Sequence, residues 1–201
     1  MIAAGEVHVW SVGLDGSGES GTELDDAERA RAARFRVESA RLRYVAGHTA
    51  LRRILARYTG VPAGALRFAQ GEHGKPCLPG SPLRFNMSDS GERALYAVTL
   101  GTEVGVDVER IRPMEGAAAI AARFLPEAEA GAVRLDPLSF FRVWTRREAY
   151  LKCIGVGLRR IGEAIPAGYF IADLEPAPGY VGAVVWEGGE RRIVMRSAER
   201  P

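Results

Sequence analysis

Twice along this chain a short alternating strand is followed by helical segments and then by a group of about three β-rich runs. In the first half Glu6 to Val12 alternates polar and apolar residues, which predicts a strand. Asp25-Asp26 can cap a helix running to Arg36, and Glu38 to Tyr58 spaces Leu42, Val45, Thr49, Leu55 and Tyr58 for one buried helical face. Thr59-Gly60-Val61-Pro62 stops that helix. Short strands are then expected at Leu66 to Phe68, Leu83 to Met87 and Ala94 to Leu100, after a Gly/Ser-rich loop from Gly13 to Gly21 earlier in the half. The second half repeats the order. It has a strand at Glu103 to Arg110, a helix at Ala117 to Phe124 and a stronger helix from about Pro137 to Ile154. Three strands follow, at Tyr169 to Leu174, Tyr180 to Trp186 and Arg191 to Arg196. No residue-level repeat accompanies the shared order. The expectation is an α+β protein of two similar halves, 1–101 and 102–201, in a pseudo-twofold arrangement with a ligand cleft between them.

Composition narrows the class. At 201 residues with 47% hydrophobic and 26% charged residues, the chain reads as globular rather than disordered, collagenous or coiled coil. No apolar run approaches the ~18 residues of a membrane span, and Met1 to Trp10 does not read as a secretory signal. Two cysteines, Cys77 and Cys153, are too few for a disulfide scaffold or a cysteine-based zinc site, so a reducing, cytoplasmic setting is expected. The net charge of +2 names no partner, but of 27 basic residues only Lys75 and Lys152 are lysine. Either this is chance or those two places need a compact ammonium, as a phosphate contact does.

Four short motifs carry chemistry. In Gly105-Val106-Asp107-Val108-Glu109 the strand period puts the valines on one face and both acids on the other. Such a pair can share a divalent cation, or simply sit in water on a half-exposed strand. On the helix through residue 154, Trp144, Glu148 and Lys152 are four apart and form one stripe. A solvated Glu–Lys pair is the plain reading, yet a tryptophan has no use on a solvated face. Gly74-Lys75-Pro76 reads as a turn. Phe85-Asn86-Met87-Ser88-Asp89-Ser90-Gly91 reads as an apolar strand with a polar end, either a phosphate-contacting loop or an Asx or Ser turn.

Taken in this order, the four motifs resemble the 4'-phosphopantetheinyl transferases of Sfp type. The matching pieces are Gly74-Lys75-Pro76, Phe85-Asn86-Met87-Ser88-x-Ser90, Gly105-Val106-Asp107-Val108-Glu109 and Trp144-Thr145-x-x-Glu148-Ala149-x-x-Lys152, followed by Gly155-x-Gly157-Leu158. Arg43-x-x-x-Gly47-x-x-x-x-Arg52 also looks like the family's first half, and the resemblance covers about residues 5 to 186. It implies transfer of phosphopantetheine from coenzyme A to a serine of an acyl or peptidyl carrier protein, with release of 3',5'-ADP. It implies a Mg2+ site at Asp107, Glu109 and Glu148, with Mn2+ as a substitute, and Glu148 as the group that helps deprotonate the serine. Lys152 matches a lysine on the coenzyme A phosphates. Arg43, Lys75 and Pro76 match the nucleotide end, and Ser88 and Asp89 the adjacent phosphate contacts. Three carboxylates brought together without a metal should raise the proton affinity of at least one.

The chain departs from the family at two places. Asp89 stands where the family usually has histidine, and Glu28 and Arg31 stand where it has lysines. An anion at 89 would repel phosphate unless it is protonated, turned away or paired with an arginine. The alternative reading is therefore a transferase-like protein that binds coenzyme A or a carrier with weak or no turnover. A different Mg-dependent phosphotransfer enzyme is weakened by the absence of a GxxxxGK[ST] loop. Nine arginines from Arg29 to Arg57 face only Glu28 and Glu38, which suits an acidic carrier domain. No nucleic-acid module accompanies them, so neither nucleic acid nor membrane is an expected partner. Two joined halves can form the cleft within one chain, so a monomer is expected.

Overall fold

A computed structural model of the chain describes residues 2–15, 20–71, 74–136 and 139–197. Residues 16–19 of the expected Gly/Ser loop and residues 137–138 at the start of the expected long helix lie outside the described residues.

The first half contains β1 (Glu6–Gly13), α1 (Asp26–Ala32), α2 (Glu38–Thr59), β2 (Ala69–Gln70), β3 (Pro76–Cys77), β4 (Leu83–Ser90) and β5 (Arg93–Leu100). The second contains β6 (Val104–Arg110), α3 (Ala117–Phe124), α4 (Glu127–Leu135), α5 (Ser139–Ile154), β7 (Tyr169–Leu174), β8 (Tyr180–Glu187) and β9 (Arg192–Ser197). Helices and sheets are mixed as the α+β expectation requires. One sheet has the order β4-β5-β1-β9, a second β6-β8-β7, and β2-β3 form a small hairpin. Every pairing is antiparallel except β1 with β9.

Side-chain alternation decides what each sheet covers. On β1 and β5, Trp10, Val12, Ala94, Tyr96 and Val98 point toward α2 and pack with Ala46, Leu51, Ile54 and Leu55. Their neighbours Val7, Val9, Leu95 and Ala97 point the other way and meet Val104, Val106, Val108, Val184 and Trp186 of the second sheet. Ala183 and Val185, on the opposite side of β8, pack against Ala149, Tyr150, Leu151 and Cys153 of α5. The layers therefore run α2, first sheet, second sheet, α5. The inner strands β5 and β8 are buried on both faces, which explains why they read as nearly unbroken apolar runs.

Several elements differ from the expectation. Leu66 to Phe68 is not a strand: a 3-10 turn at Ala63–Ala65 precedes it, and the buried guanidinium of Arg52 takes the carbonyls of Ala63 and Leu66, each at 3.1 Å. Helix α1 stops at Ala32 rather than Arg36. Its start is a capping box, with Asp25 accepting from Glu28 N at 2.9 Å and Glu28 accepting from Asp25 N at 3.0 Å. Glu28 also accepts from Arg52 Nε at 2.6 Å and lies against His48 Nδ1 at 2.9 Å. A carboxylate tied down in this way belongs to the packing of α1 on α2, which is why a lysine is not needed there. Helix α4 was not anticipated, because its acidic, alanine-rich sequence between Pro126 and Asp136 carries a weak apolar stripe. β4 continues as strand through Ser90, where a loop or turn was expected. Finally, β9 leaves the strands it follows and pairs with β1 of the first sheet, so the chain returns to the first half at its end.

Candidate active site at the seam of the two halves

The two sheets meet most closely where β4 runs beside β6. β6 pairs with β8 along one edge, and its other edge is capped by side chains from the first half. Lys75 Nζ donates to Val104 O at 2.9 Å, Asn86 Oδ1 accepts from Val106 N at 2.9 Å, and Ser90 Oγ accepts from Arg110 N at 3.1 Å. Asn86, Ser88 and Ser90 are each two apart, so all three point to the β6 side of β4, while Phe85 packs toward α2. The polar pattern of this segment is thus strand alternation at an edge. That signal was available in the sequence, but it reads as an edge cap only when a partner strand is known.

Helix α5 lies on the other side of β6, and Gly105 sets its distance. A Cβ at that position would stand 2.0 Å from Ala149 O and 2.3 Å from Cys153 N. Any larger residue would lift the helix. With glycine there, the Glu148–Lys152 turn comes down over Asp107. Lys152 Nζ donates to Asp107 Oδ1 at 2.6 Å and to Ser88 Oγ at 2.8 Å, and it stands 3.6 Å from Glu148 Oε2. Ser88 Oγ donates to Asp107 Oδ1 at 2.7 Å. Trp144 Nε1 donates to Glu148 Oε1 at 2.5 Å, so the expected stripe of Trp144, Glu148 and Lys152 is present, with Trp144 bonded to Glu148 and Glu148 at ion-pair distance from Lys152. Phe140 stacks on Trp144 from the previous turn, with ring centroids 5.4 Å apart.

Asp107 is 2% exposed, and its second oxygen, Oδ2, is buried with no hydrogen-bond partner. Burial pushes this carboxyl up to about 6, the Lys152 ammonium pulls it down, and the charge of Glu148 adds to the rise. The expected rise in proton affinity is therefore found on Asp107, but loss of water is its main cause and like-charge repulsion a lesser one. Glu109 shares the Asp107 face of β6, where its Oε2 accepts from Ser90 Oγ at 2.7 Å and from Arg112 Nη1 at 3.4 Å.

Among the described residues no group of three or more His, Cys, Asp or Glu stands together as a ready metal site. The donor chemistry nevertheless fits a hard cation. The free Oδ2 of Asp107 is a buried oxygen lacking a partner, Glu148 lies close enough for its charge to act on Asp107, and every candidate ligand is a carboxylate oxygen.

The other expected site residues lie apart from this cluster. Lys75 spends its three donors on Glu103 Oε2 (2.7 Å), Val104 O and Cys153 O (2.9 Å each), and so clamps the β2–β3 hairpin to β6 and to the end of α5. Both lysines of the chain therefore cross the seam, each as a compact three-donor cation. Lys75 and Pro76 also line a cavity of about 360 Å³ with Glu103, Ile154, Gly155 and Tyr169. Arg43 is half-buried on α2 with no hydrogen bond or ion pair among the described residues. Arg31, Arg34 and Phe35 line a groove of about 630 Å³. Asp89 alternates to the opposite side of β4 from Ser88 and is exposed, so its charge does not enter the Asp107–Lys152 cluster.

One buried residue was overlooked by sequence reasoning. Arg147 is 4% exposed, pairs with Glu129 of α4, and donates to Ile161 O at 2.9 Å and Glu163 O at 2.7 Å. It fastens α4 and the 158–163 segment to the helix that carries Glu148. An arginine in an arginine-rich chain gave no signal of this.

Comparison with known proteins agrees with the geometry. Residues 103–190 match the family described as the 4'-phosphopantetheinyl transferase superfamily. The chain is 37% identical over 178 residues to the 4'-phosphopantetheinyl transferase HetI of Nostoc sp., covering 81% of this chain and 74% of that protein. It is 32% identical over 137 residues to 4'-phosphopantetheinyl transferase psf-1 of Bacillus pumilus, covering 65% and 58%. It is 28% identical over 141 residues to 4'-phosphopantetheinyl transferase Sfp of Bacillus subtilis, covering 67% and 62%. The alignments thus span three quarters of the first relative and under two thirds of the two Bacillus proteins.

Proposed function

Since the chain belongs to the 4'-phosphopantetheinyl transferases of Sfp type, we propose that it moves phosphopantetheine from coenzyme A to a serine hydroxyl of an apo carrier protein, releasing 3',5'-ADP. The observation that carries the reading is the Lys152–Asp107–Ser88 cluster under Glu148, with one buried carboxylate oxygen left unpartnered. The serine oxygen attacks the phosphorus that bears the pantetheine arm, and the bond from that phosphorus to the bridging diphosphate oxygen breaks. Glu148 takes the serine proton, with Trp144 fixing its other oxygen. Lys152 already points into the cluster, and its ammonium balances charge on the departing phosphate. Asp107 and Glu148, with Glu109 next along β6, are the residues that would hold Mg2+ or Mn2+. When bound, the cation supplies charge neutralisation at the diphosphate.

Arg31, Arg34 and Arg43 supply cationic charge for the nucleotide phosphates from α1, α2 and their connection. Ile111 and Phe124 are exposed around α3 and offer an apolar contact for the carrier. Polyketide, nonribosomal-peptide and fatty-acid carriers all present the required serine. The two halves are proposed to act as units meeting at residue 101, with β9 crossing back to complete the first sheet, in a monomer. Among the described residues no helix is long and apolar enough to cross a membrane. Incubation with coenzyme A, Mg2+ and a panel of apo carriers is expected to add one phosphopantetheine mass to at least one carrier by intact-protein mass spectrometry. No mass gain on any carrier class, with the protein folded, would overturn the proposal.

The buried carboxylate makes a separate prediction about stability. An acid whose proton affinity is raised in the fold costs stability once it ionises. From the unfolded value of 3.8 to the folded value of about 6 that cost grows, and above pH 6 it levels off near 3 kcal/mol by the order-of-magnitude conversion of two units. In the presence of a chelator, Asp107→Asn should match wild type in thermal midpoint below pH 4 and exceed it above pH 6. A difference that stays constant from pH 4 to pH 8 would contradict this.

A further inference from the structure

Ser90 occupies a position whose two hydrogen bonds are both committed. Its oxygen accepts from Arg110 N at 3.1 Å, so its single proton is directed onward to Glu109 Oε2 at 2.7 Å. The turn that follows Ser90 is held as well. At Gly91 it approaches β6 and β8 so closely that a Cβ there would lie 3.0 Å from Tyr180 Oη and 3.4 Å from Arg110 Cδ. The same turn donates from Glu92 N to Tyr180 Oη at 3.2 Å. The serine is therefore a fixed donor aimed at one carboxylate.

Glu109 has a competitor for the same oxygen. Arg112 Nη1 stands 3.4 Å from Oε2, donates to Arg110 O at 3.2 Å, and carries its guanidinium 5.4 Å from the centre of the Phe141 ring. Arg112 is more than half exposed and Glu109 about a quarter. A long surface contact of this kind is weak, while the neutral–anionic bond from Ser90 is shorter and shielded. Without Ser90, Arg112 would draw the carboxylate outward, away from the face it shares with Asp107.

We infer that Ser90 is a positioning residue: it holds the Glu109 carboxylate, against Arg112, on the Asp107 side of β6, where it serves the divalent cation. The inference rests on the proposed reading of Glu109 as a cation ligand. The serine acts one step away from the cation, through a carboxylate, as supporting residues around metal sites do. It also gives the second serine of the Ser88-x-Ser90 pattern its own task. Ser88 bonds Asp107 and Ser90 bonds Glu109, each β4 hydroxyl serving the β6 acid opposite it.

The test is Mn2+ binding to the coenzyme A complex in the absence of carrier, followed by calorimetry or by loss of the free-ion paramagnetic resonance signal. Ser90→Ala is expected to weaken Mn2+ about tenfold, with Ser90→Thr close to wild type and Ser90→Ala/Arg112→Ala recovering part of the loss. The concentration of Mg2+ needed for half-maximal carrier labelling should rise in the same proportion, with KM for coenzyme A unchanged. Thermal unfolding confirms that each variant is folded. Unchanged Mn2+ affinity in folded Ser90→Ala, alongside a clear loss in Glu109→Gln, would overturn the role of Ser90 alone. Unchanged affinity in Glu109→Gln would overturn the ligand reading of Glu109, and the inference with it.

Discussion

Replacing Glu148 with glutamine is expected to lower kcat for carrier labelling by about 10²–10⁴-fold, the range for loss of a general base, while coenzyme A binding stays within about threefold of wild type. The substitution is nearly isosteric. The amide oxygen can still accept from Trp144 Nε1, and the helix keeps its contact with β6. What is lost is the site that receives the serine proton, the negative charge 3.6 Å from Lys152 and one charged oxygen ligand proposed for the cation, so the coenzyme A titration is made without metal. Because the interaction with the proton is made only as the hydroxyl attacks, the loss belongs in kcat rather than in binding of the nucleotide. Rapid-quench labelling followed by mass spectrometry, beside calorimetric titration with coenzyme A, separates the two. A variant that labels carriers at the wild-type rate would remove Glu148 from the reaction.

Among the described glycines, Gly105→Ala should be the most damaging. The added Cβ has nowhere to go, since the atoms it meets are the backbone oxygen of Ala149 and the backbone nitrogen of Cys153 rather than flexible side-chain ends. Relief requires α5 to move off β6, and that movement breaks three things together. The Lys152–Asp107 pair lengthens, Lys75 loses its grip on Cys153 O, and the packing of Ala149 and Cys153 on β8 opens. A destabilisation of roughly 3–5 kcal/mol is expected, above the usual overpacking range because the collision is with main chain. Denaturant unfolding would measure it, and labelling activity should fall at temperatures where the variant is still folded. A variant with wild-type stability and activity would show that the helix does not need this approach.

Much of the cluster is legible in the sequence. The strand period of Val104 to Arg110 placed Asp107 and Glu109 on one face, and the helical period placed Trp144, Glu148 and Lys152 on one stripe. Both are local rules, set by the geometry of one element. Lysine usage was informative as well, since both lysines prove to reach from one half of the chain to the other.

What stayed hidden depended on distant partners. Ser88 and Ser90 read as a loop or turn after the Leu83–Met87 strand because nothing in their own segment announces the bare edge of β6 that they cap together with Asn86. Glu28 looked like a lost phosphate contact until Arg52, 24 positions further on, was seen bonded to it at 2.6 Å. The pairing of β9 with β1 joins the two ends of the chain, and no local pattern distinguishes it from a third strand beside β8. The sequence by itself determined which residues share a face, because backbone periodicity is a property of each segment. Only the tertiary structure decided how far apart those faces lie and which groups lose water. Asp107 acquires its raised proton affinity from being enclosed by β4, β6 and α5 at once, and enclosure is a property of the assembled fold.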